Sequence, residues 1–573
     1  MHQPTRIFAV PQPVERGFQW GDIVVLLGVM VLIYAGVSLA VRTPLVLQGP
    51  DISLAPEVLP YYALLSVGRM ASAYLLSLLV ALLYGRAAVA HRQAEQVLLP
   101  LLDVLQSVPI LSFLPVVLLS FRAVLPPRMA AELAAVVLIF TSQAWNLIFA
   151  WYQSLKTIPS ELREAAAIFR FNSWWRFRTV ELPFAAISLI WNSMMSWAGG
   201  WFFLMAVEIF TVGERDFRLP GLGAYLQEAA NQGNISAITW GIATLVLVII
   251  ALDQLVWRPL LAWSSRFKLE TVGGSEEPSS WVYDVLRHSR LIRAAQHKVH
   301  CALAALDGAL LKWFRPSGMP AEGNSRRPWS AYGIGLLGGA VLIYGLYRAG
   351  LMLLLVSAPQ WRAVAVGVGA TLLRVVMALV MALAWTLPLG VAIGTRPHLA
   401  AQVQPLAQIA ASIPATAVFP VVVLVIAGLP AGMNLAAVLL MLMGTQWYLL
   451  FNIIAGASAV PQDLRYAAGL LQLSRWERWR VLILPALFPY LITGAVTASG
   501  GAWNASIVAE YADFAGHPRY VTGVGSLIAQ ATSSGTYPLL LAATLAMIST
   551  VVAINRLVWR RLYRVAEERY RLE

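Results

Sequence analysis

The sequence predicts an all-α polytopic membrane protein of about twelve transmembrane helices, arranged as two tandem six-helix repeats. Hydrophobic residues make up 59% of its 573 residues and charged residues only 12%, too little polar surface for a water-soluble globule of this size. Apolar runs such as 61–84 reach the roughly 20 residues with which a helix crosses a bilayer. A polar loop of one pattern also occurs twice between such runs.

Six apolar runs predict the helices of the first half, at roughly 22–41, 61–84, 97–121, 129–154, 184–210 and 237–262. Ser38-Leu39-Ala40 loosely resembles the cleavage site of a secretion signal. A polar stretch of roughly 20 residues precedes the first apolar run, and the second half has an equivalent apolar run at 332–347. We therefore favour a first helix that is retained and not cleaved. The single cysteine, Cys301, excludes an internal disulfide and a cysteine-rich metal site.

A long polar stretch, 264–328, separates the halves and predicts a basic linker. It contains the flexible sequence VGGSEEPSS and an amphipathic helical pattern from Trp281 to Phe314. A membrane-surface tether is the favoured interpretation, and a regulatory or partner-docking role is the alternative. Six further runs predict the second half, at roughly 331–347, 363–394, 403–427, 432–455, 486–510 and 538–557. We therefore expect membrane domains at 1–262 and 329–573, with the linker at 263–328.

Matched prolines support an internal duplication. The loop TIPSELREAAAIFRFNSWWRFRTVELP ends at Pro183, and AVPQDLRYAAGLLQLSRWERWRVLILP ends at Pro485, 302 positions later. In the third predicted helix of each half, Pro109 and Pro414 are 305 positions apart. We expect these prolines to kink a continuous helix; the alternative is a broken helix that exposes backbone groups to a substrate.

The net charge of +13 is distributed as in a membrane protein. Lys and Arg gather in the two repeated loops, the linker and the C-terminal tail, which the twelve-helix arrangement places on one side. The positive-inside rule assigns that side, and both termini, to the cytoplasm. This distribution argues against a nucleic-acid partner.

The repeated loop has the pattern of a short helix, a turn and a second helix that receive a partner. Pro159 suits a first helical turn, and 161–166 contains strong helix formers with acids near the positive end of the helix dipole. Ala165 and Ala166 predict a low-relief surface against which a partner presses. A lipid-touching connector is the alternative, and the second copy with the same proline frame argues against it.

These loops resemble the EAA signature of importer-type ABC transporter permeases. Glu164-Ala165-Ala166 is followed by Arg170 at the usual Gly position and by VELP; the second copy has YAA, Gln472 and LILP. The resemblance implies ATPase-coupling loops, with coupling helices, in both halves. Their residues are Glu161, Leu162, Glu164, Ala165, Ala166 and Arg170, then Asp463, Leu464, Ala467, Ala468 and Gln472.

The sequences VEIF…LPGLGAYL and VAEY…TGVGSLI resemble the nitrate/sulfonate/taurine branch of these permeases. The resemblance implies a noncatalytic permease of the inner membrane that contacts lipid, two cytoplasmic ATP-binding-cassette ATPase subunits and an extracytoplasmic substrate-binding protein. ATP and Mg²⁺ would reside on the ATPases, with no cofactor or metal in this chain. In agreement, the sequence contains no GxxxxGK[ST] phosphate loop. The expected cargo is a small anion such as nitrate, a sulfonate, taurine or bicarbonate.

The fifth helix of each half presents small and polar residues at helical spacing, which suits either close helix packing or the wall of a pathway. The candidate pathway residues are Asn192, Ser196, Gly199, Trp201 and Glu208, then Thr493, Thr497, Gly501, Trp503, Asn504 and Glu510. For Glu208 and Glu510, and for the intramembrane Arg69 and Arg374, a structural role is favoured over substrate contact.

Two other classes of protein share some of these features. An ion-gradient-driven secondary transporter also has two six-helix halves, but it usually needs buried acids in mid-helix, which are scarce here. A nontransporting membrane scaffold or sensor would use the linker as its signalling element. Copurification of an ATPase together with ATP-dependent uptake separates all three.

Overall fold

The fold confirms an all-α polytopic architecture. A computed structural model describes residues 20–40, 49–90, 92–212, 215–267, 280–288, 329–426, 428–458, 460, 462–514 and 517–569. Over these residues the chain is a bundle of α-helices with two short β-hairpins. Seven of the described helices are long and apolar enough to cross a membrane, and shorter apolar helices cover 26–38, 110–124 and 342–354.

The helices of the first half follow the predicted order, with extra short helices between them. They are α1 (Trp20–Ala40), α2 (Leu59–Ala90), α3 (Arg92–Ser107), α4 (Leu114–Val124), α5 (Pro127–Lys156), α6 (Ser160–Ile168), α7 (Ser173–Arg176), α8 (Leu182–Glu208), α9 (Leu222–Asn231), α10 (Ile235–Leu252) and α11 (Arg258–Ser264). Of the predicted linker helix, α12 (Trp281–His288) is described, and 289–314 lies outside the described residues.

The second half repeats this order. Its helices are α13 (Trp329–Leu354), α14 (Ala358–Gly394), α15 (Pro397–Ser412), α16 (Ala415–Ile426), α17 (Gly432–Ser458), α18 (Gln462–Leu470), α19 (Arg475–Arg478), α20 (Leu484–Glu510), α21 (Val524–Ser533), α22 (Tyr537–Ile554) and α23 (Arg560–Arg569). The halves interlock, because α1 packs against α13 and α8 packs against α16. The largest buried apolar cluster accordingly draws side chains from both halves.

The third predicted helix of each half is broken, so the expectation of a kinked continuous helix is wrong. In the first half α3 ends at Ser107, and a 3-10 turn over Ile110–Phe113 precedes α4. In the second half α15 ends at Ser412, two residues before Pro414. Proline has no N–H and disfavours helical geometry in the preceding residue, and here both effects end the helix.

A hairpin and a short helix follow the fifth helix of each half, and the sequence analysis missed them. Thr211–Val212 (β1) pairs with Arg215–Asp216 (β2), and Tyr511–Phe514 (β3) pairs with His517–Tyr520 (β4), both antiparallel. The short helices α9 and α21 come next. Each hairpin therefore turns the chain back onto the end of the helix that precedes it.

A buried ion pair holds this turn in the first half. Glu208, the last residue of α8, is fully buried and lies 2.8 Å from Arg69 Nη1 of α2. The Ser66 hydroxyl donates to one Glu208 oxygen at 2.7 Å, and the Gly223 backbone N–H donates to the other at 2.8 Å. The carboxylate thus caps the N-terminus of α9, where the helix dipole favours negative charge. Arg69 also binds Glu132 of α5 at 2.7 Å through two nitrogens.

The second half builds the same network at equivalent positions. Glu510 is fully buried, lies 2.9 Å from Arg374 Nη1, accepts from the Thr371 hydroxyl at 2.7 Å and caps α21 through the Gly525 N–H at 2.9 Å. One partner differs: Asn434 stands where the first half has Glu132, so Arg374 binds an amide oxygen instead of a second carboxylate.

Glycine is required where these carboxylates approach the backbone. A Cβ on Gly221 would lie 2.3 Å from a Glu208 oxygen, and a Cβ on Gly523 would lie 2.1 Å from a Glu510 oxygen. No side chain fits at those distances. The glycines that follow each fifth helix therefore belong to the ion-pair network.

The difference between Glu132 and Asn434 predicts unequal effects of neutralising the two buried glutamates. In Glu510→Gln, Arg374 is left buried without a carboxylate among its described contacts, and we expect the free energy of unfolding to fall by about 3–5 kcal/mol. In Glu208→Gln, Arg69 keeps Glu132, and we expect a smaller loss of about 1–3 kcal/mol. Unfolding of both purified variants in detergent measures the difference.

A rescue variant serves as the control for this comparison. Adding Asn434→Glu to Glu510→Gln gives the second half the carboxylate that the first half has, and it should recover part of the lost stability. Equal losses in the two single variants, with no rescue, would contradict the assignment.

Candidate functional site

The first repeated loop folds as a short helix closed by a left-handed residue. Helix α6 ends at Ile168, and Arg170 has φ of 51°. The N–H of Phe171 donates to the Ala166 carbonyl at 2.9 Å, and the N–H of Arg170 donates to the Ala167 carbonyl at 3.0 Å. This pair of bonds is a Schellman motif, which normally has glycine at the left-handed position.

The second loop has the same closure. Helix α18 ends at Leu470, and Gln472 has φ of 49°. Its N–H donates to the Gly469 carbonyl at 3.0 Å, and the Leu473 N–H donates to the Ala468 carbonyl at 3.2 Å. The turn geometry that the glycine of the family pattern would supply is therefore retained at both Arg170 and Gln472.

A second short helix follows each turn, and each has its own cap. Asn172 accepts the Trp175 N–H at 2.8 Å at the start of α7. In the second copy Ser474 and Glu477 form a reciprocal capping box at 2.9 and 3.3 Å. Hydrogen bonds from the Ser474 side chain and backbone lower the pKa of Glu477 below its usual value. The helix–turn–helix predicted from the sequence is present in both copies.

Each loop exposes a pair of large apolar side chains at the end of its first helix. Ile168 and Phe169 are 77% and 71% exposed, and the equivalent Leu470 and Leu471 are 86% and 72% exposed. Ala166, in contrast, is buried, so the expectation that the Ala165-Ala166 pair forms the partner-facing surface is wrong at that position.

Helix periodicity explains this correction. Ala166 lies on the inner side of α6, facing the ends of α2 and α5. Ala468 is buried at the equivalent position of α18. The alanines anchor the loops, and the apolar pairs that follow them face outward.

The other predicted loop residues lie around these helices. Glu161, Glu164, Arg170, Leu464 and Gln472 are exposed, and Leu162 and Ala165 are partly buried. Asp463 and Ala467 lie within α18, and their side chains are outside the described residues.

A cavity of about 330 Å³ lies between the fifth helices of the two halves. Five predicted pathway residues line it: Gly199, Thr497, Gly501, Trp503 and Asn504. Other lining residues come from the broken third helix and the fourth helix of the first half, and from the fourth and sixth helices of the second. Among them are Gln106, Ile110, Trp145, Asn146, Tyr448, Asn555 and Trp559. Sequence spacing within the fifth helices carried no signal for these residues, because they lie on other elements.

The remaining predicted pathway residues do not line this cavity. Trp201 is buried in the core of the first half, and the Ser196 hydroxyl donates to the Gln143 carbonyl at 3.2 Å. Asn192 and Thr493 bond to their own helices. Glu208 and Glu510 form the ion pairs described above, which agrees with the structural role favoured from the sequence.

The described lining of the cavity is uncharged and includes several amide side chains. No Lys, Arg, Asp, Glu or His is among its described lining residues. The indole nitrogens of Trp145 and Trp503 are buried and have no hydrogen-bond partner in the described structure. The Asn504 side chain accepts the backbone N–H of Ile110, at the break in the third helix, and so joins the two halves. The Gln106 and Asn146 amides, which are exposed at the cavity, can therefore hydrogen-bond a polar solute without offering it a counter-ion.

The two halves contribute unequally to the cavity. In the first half Trp197 packs against Tyr74 and Trp257, with ring centroids 5.6 and 5.7 Å away. In the second half Ser499 occupies the place of Trp197, and both Ser499 and Trp559 line the cavity. In the first half a cluster of edge-to-face aromatic rings fills the space that Ser499 leaves open in the second half.

Comparisons with known proteins identify related chains. The family model described as a binding-protein-dependent transport system inner membrane component matches this chain twice, at residues 73–256 and 386–572. A nitrate import permease protein of Leptolyngbya laminosa is 27% identical over 242 residues, which cover 40% of this chain and 82% of that protein.

Two other relatives are named for different cargoes. A bicarbonate transport system permease protein of Synechococcus elongatus is 26% identical over 208 residues, covering 36% of this chain and 68% of that protein. A riboflavin transport system permease protein of Chloroflexus aurantiacus is 31% identical over 180 residues, covering 31% of this chain and 62% of that protein.

The left-handed residues predict an unusual response to glycine. A non-glycine residue in this conformation costs about 1–2 kcal/mol, which exceeds the roughly 0.5–1 kcal/mol of backbone entropy that glycine adds. We expect Arg170→Gly and Gln472→Gly to slow hydrogen exchange of the α6 and α18 amides by up to about tenfold, and Arg170→Val to speed it.

Ala167→Gly provides the control for this prediction. Ala167 is exposed and lies in the helical part of the same loop, where glycine costs about 1 kcal/mol. Exchange should therefore become faster in this variant. Faster exchange in Arg170→Gly as well would show that the turn is not strained.

Proposed function

The chain belongs to the family of binding-protein-dependent transport system inner membrane components, and on this basis we propose that it carries both transmembrane halves of an ATP-driven importer. The observation that carries the proposal is the paired loop. Each of the two matched regions contains one copy, with the same Schellman closure and the same exposed apolar pair. Two equivalent loops imply two ATPase subunits, one bound to each loop.

The exposed apolar pairs are the proposed contacts with the two ATPases. Ile168 and Phe169 in one loop, and Leu470 and Leu471 in the other, would pack into a groove on each ATPase, as an amphipathic helix end does in helix-in-groove recognition. Because Ala166 and Ala468 are buried against the bundle, movement of either loop would be transmitted to the helices beneath it. ATP-driven closure of the ATPases would thereby rock the two halves between outward and inward openings.

The central cavity is the proposed translocation pathway. Its amide side chains suit a small anion of the nitrate, sulfonate, taurine or bicarbonate kind, because neutral donors solvate an anion without the strong hold of a buried cation. A pathway must bind its cargo weakly enough to release it. The names of the nitrate and bicarbonate relatives support this cargo class, and an extracytoplasmic binding protein would select the individual anion.

The remaining assignments follow from the same proposal. The chain would be a noncatalytic subunit in the inner membrane, with both termini cytoplasmic and the linker 263–328 joining the permease domains 1–262 and 329–573. ATP and Mg²⁺ would bind the partner ATPases.

The docking proposal predicts that one charge in either loop uncouples the complex. Ile168→Glu and Leu470→Glu should each lower copurification of the ATPase and ATP-dependent uptake by at least tenfold, because a charge buried at an interface costs several kcal/mol. Copurification and uptake in liposomes containing the cognate binding protein measure the two effects.

Ile235→Glu is the matched control, because Ile235 is also 77% exposed and lies at the start of α10, outside the loops. This variant should retain both activities. Full transport in both loop variants, or uptake without any ATPase, would overturn the proposal.

The cavity assignment predicts that a bulky side chain at Ser499 blocks transport. Ser499→Trp places in the second half the side chain that fills the equivalent space in the first, and we expect uptake to fall at least tenfold while the ATPase remains bound. Ser499→Ala, which keeps the space, should transport normally. Normal uptake by a folded Ser499→Trp variant would exclude this cavity as the pathway.

A further inference from the structure

A second cavity, of about 350 Å³, lies between α6 and the helix ends that it packs against. Its charged lining consists of three arginines and one glutamate: Arg86 at the end of α2, Arg163 in α6, Arg176 in α7 and Glu181 in the turn before α8. These side chains give the cavity two more positive than negative charges. The central cavity, in contrast, has no charged lining residue among those described.

Each arginine binds the protein through one nitrogen in the described structure. Arg86 Nη2 donates to the Ser173 carbonyl at 2.7 Å, Arg163 Nη2 donates to two carbonyls at the end of α5, and Arg176 Nε donates to Glu181 Oε1 at 2.8 Å. A guanidinium has five N–H donors on three nitrogens. Several donors at this cavity therefore remain for a ligand.

The single acid of the cavity is only half satisfied. Glu181 is buried, and its Oε2 accepts no hydrogen bond from the residues that the structure describes, although Arg86 Nη2 lies 3.7 Å away. A buried acceptor without a partner is unfavourable. The site therefore suits a ligand that brings a negative group to the arginines and a hydrogen-bond donor to Glu181.

The second half keeps the equivalents of Arg163 and Arg176, as Arg465 and Arg478, but shows that the fold does not need the Arg86–Glu181 pair. Val391 occupies the position of Arg86, and Ile483 occupies that of Glu181, whereas Arg478 keeps the position of Arg176. The equivalent loop nevertheless closes with the same Schellman bonds. The ion pair of Arg86 with the buried Glu181 is therefore dispensable for loop geometry, which leaves ligand binding as a reason for its presence.

We propose that this cavity binds a phosphate ester that also carries a hydroxyl or ammonium donor. Three guanidinium groups match the geometry of phosphate oxygens, and the donor would bind Glu181 Oε2. A phospholipid headgroup and a soluble phosphate ester share this chemistry. Trp174 and Trp175, next to the cavity-lining Arg176, are the kind of residue found at headgroup level. Ala166 also lines the cavity, so the ligand touches α6. The site stands independently of the proposed transport function.

Native mass spectrometry of the purified full-length chain tests the proposal. The probes are phosphatidylglycerol, which has a phosphate and hydroxyl donors, and phosphatidylcholine, which has a phosphate and no donor. We expect phosphatidylglycerol to bind at least tenfold more tightly than phosphatidylcholine. Millimolar glycerol 3-phosphate, added as a competitor, distinguishes the two possible sources of the phosphate ester. Displacement of the lipid would indicate that the ligand is a soluble ester, and retention of the lipid would indicate a phospholipid headgroup.

The double variant Arg86→Val/Glu181→Ile gives the first half the residues that the second half already uses. It should fold, and its affinity for phosphatidylglycerol should fall at least tenfold. Arg163→Gln, a change at an exposed side chain, is a second test variant, and its affinity for phosphatidylglycerol should also fall. Arg258→Gln is the control, because Arg258 pairs with Asp253 away from the cavity. Unchanged affinity in the double and Arg163→Gln variants, an equal loss in Arg258→Gln, or equal binding of the two lipids would overturn the proposal.

Discussion

The buried arginine–carboxylate pair at the end of each fifth helix is the interaction on which the rest of the structure depends. Glu208 and Glu510 join the second helix, the fifth helix and the short helix that follows the hairpin, through charges that water does not reach. The same fifth helices line the central cavity in the middle and begin directly after the repeated loops. Loop, cavity wall and ion pair are thus parts of one rigid element, which is the property that a force-transmitting subunit requires.

Duplication has let the two halves diverge where symmetry is not needed. Both keep the arginine–glutamate pair and the closed loop, but the first half fills with Trp197 the space that Ser499 leaves open in the second. Conversely, Arg86 and Glu181 bring charge beneath the first loop, where the second half has Val391 and Ile483. More of the residues that line the central cavity come from the second half, and the charged cavity lies in the first half. Equivalent positions in the two halves therefore serve as internal controls for one another.

Sequence reasoning predicted what local pattern and internal repetition determine. The helices, the duplicated loops and a structural role for Glu208 all follow from apolar runs, matched prolines and the cost of burying charge. It failed where contacts join distant segments: Arg69 and Glu208 are 139 positions apart, and the cavity wall includes α22, which no spacing in the fifth helices indicates. It also placed Ala166 on the exposed surface of the loop, because a run of helix formers does not show which face of the helix packs inward. It predicted a kink at Pro109, where the helix is in fact broken and the Ile110 N–H donates to the Asn504 side chain.

The central claim is that two equivalent loops carry force from two separate ATPases to twin helical bundles. Electron spin resonance on the assembled complex tests this claim, with spin labels at the exposed, equivalent positions Ala167→Cys and Gly469→Cys, outside the docking pairs, in a Cys301→Ala background. If closure of the ATPases moves the loops, the distance between the labels shortens when ATP and Mg²⁺ bind and lengthens again after hydrolysis. A distance that stays constant through the nucleotide cycle, in a complex that transports, would contradict it.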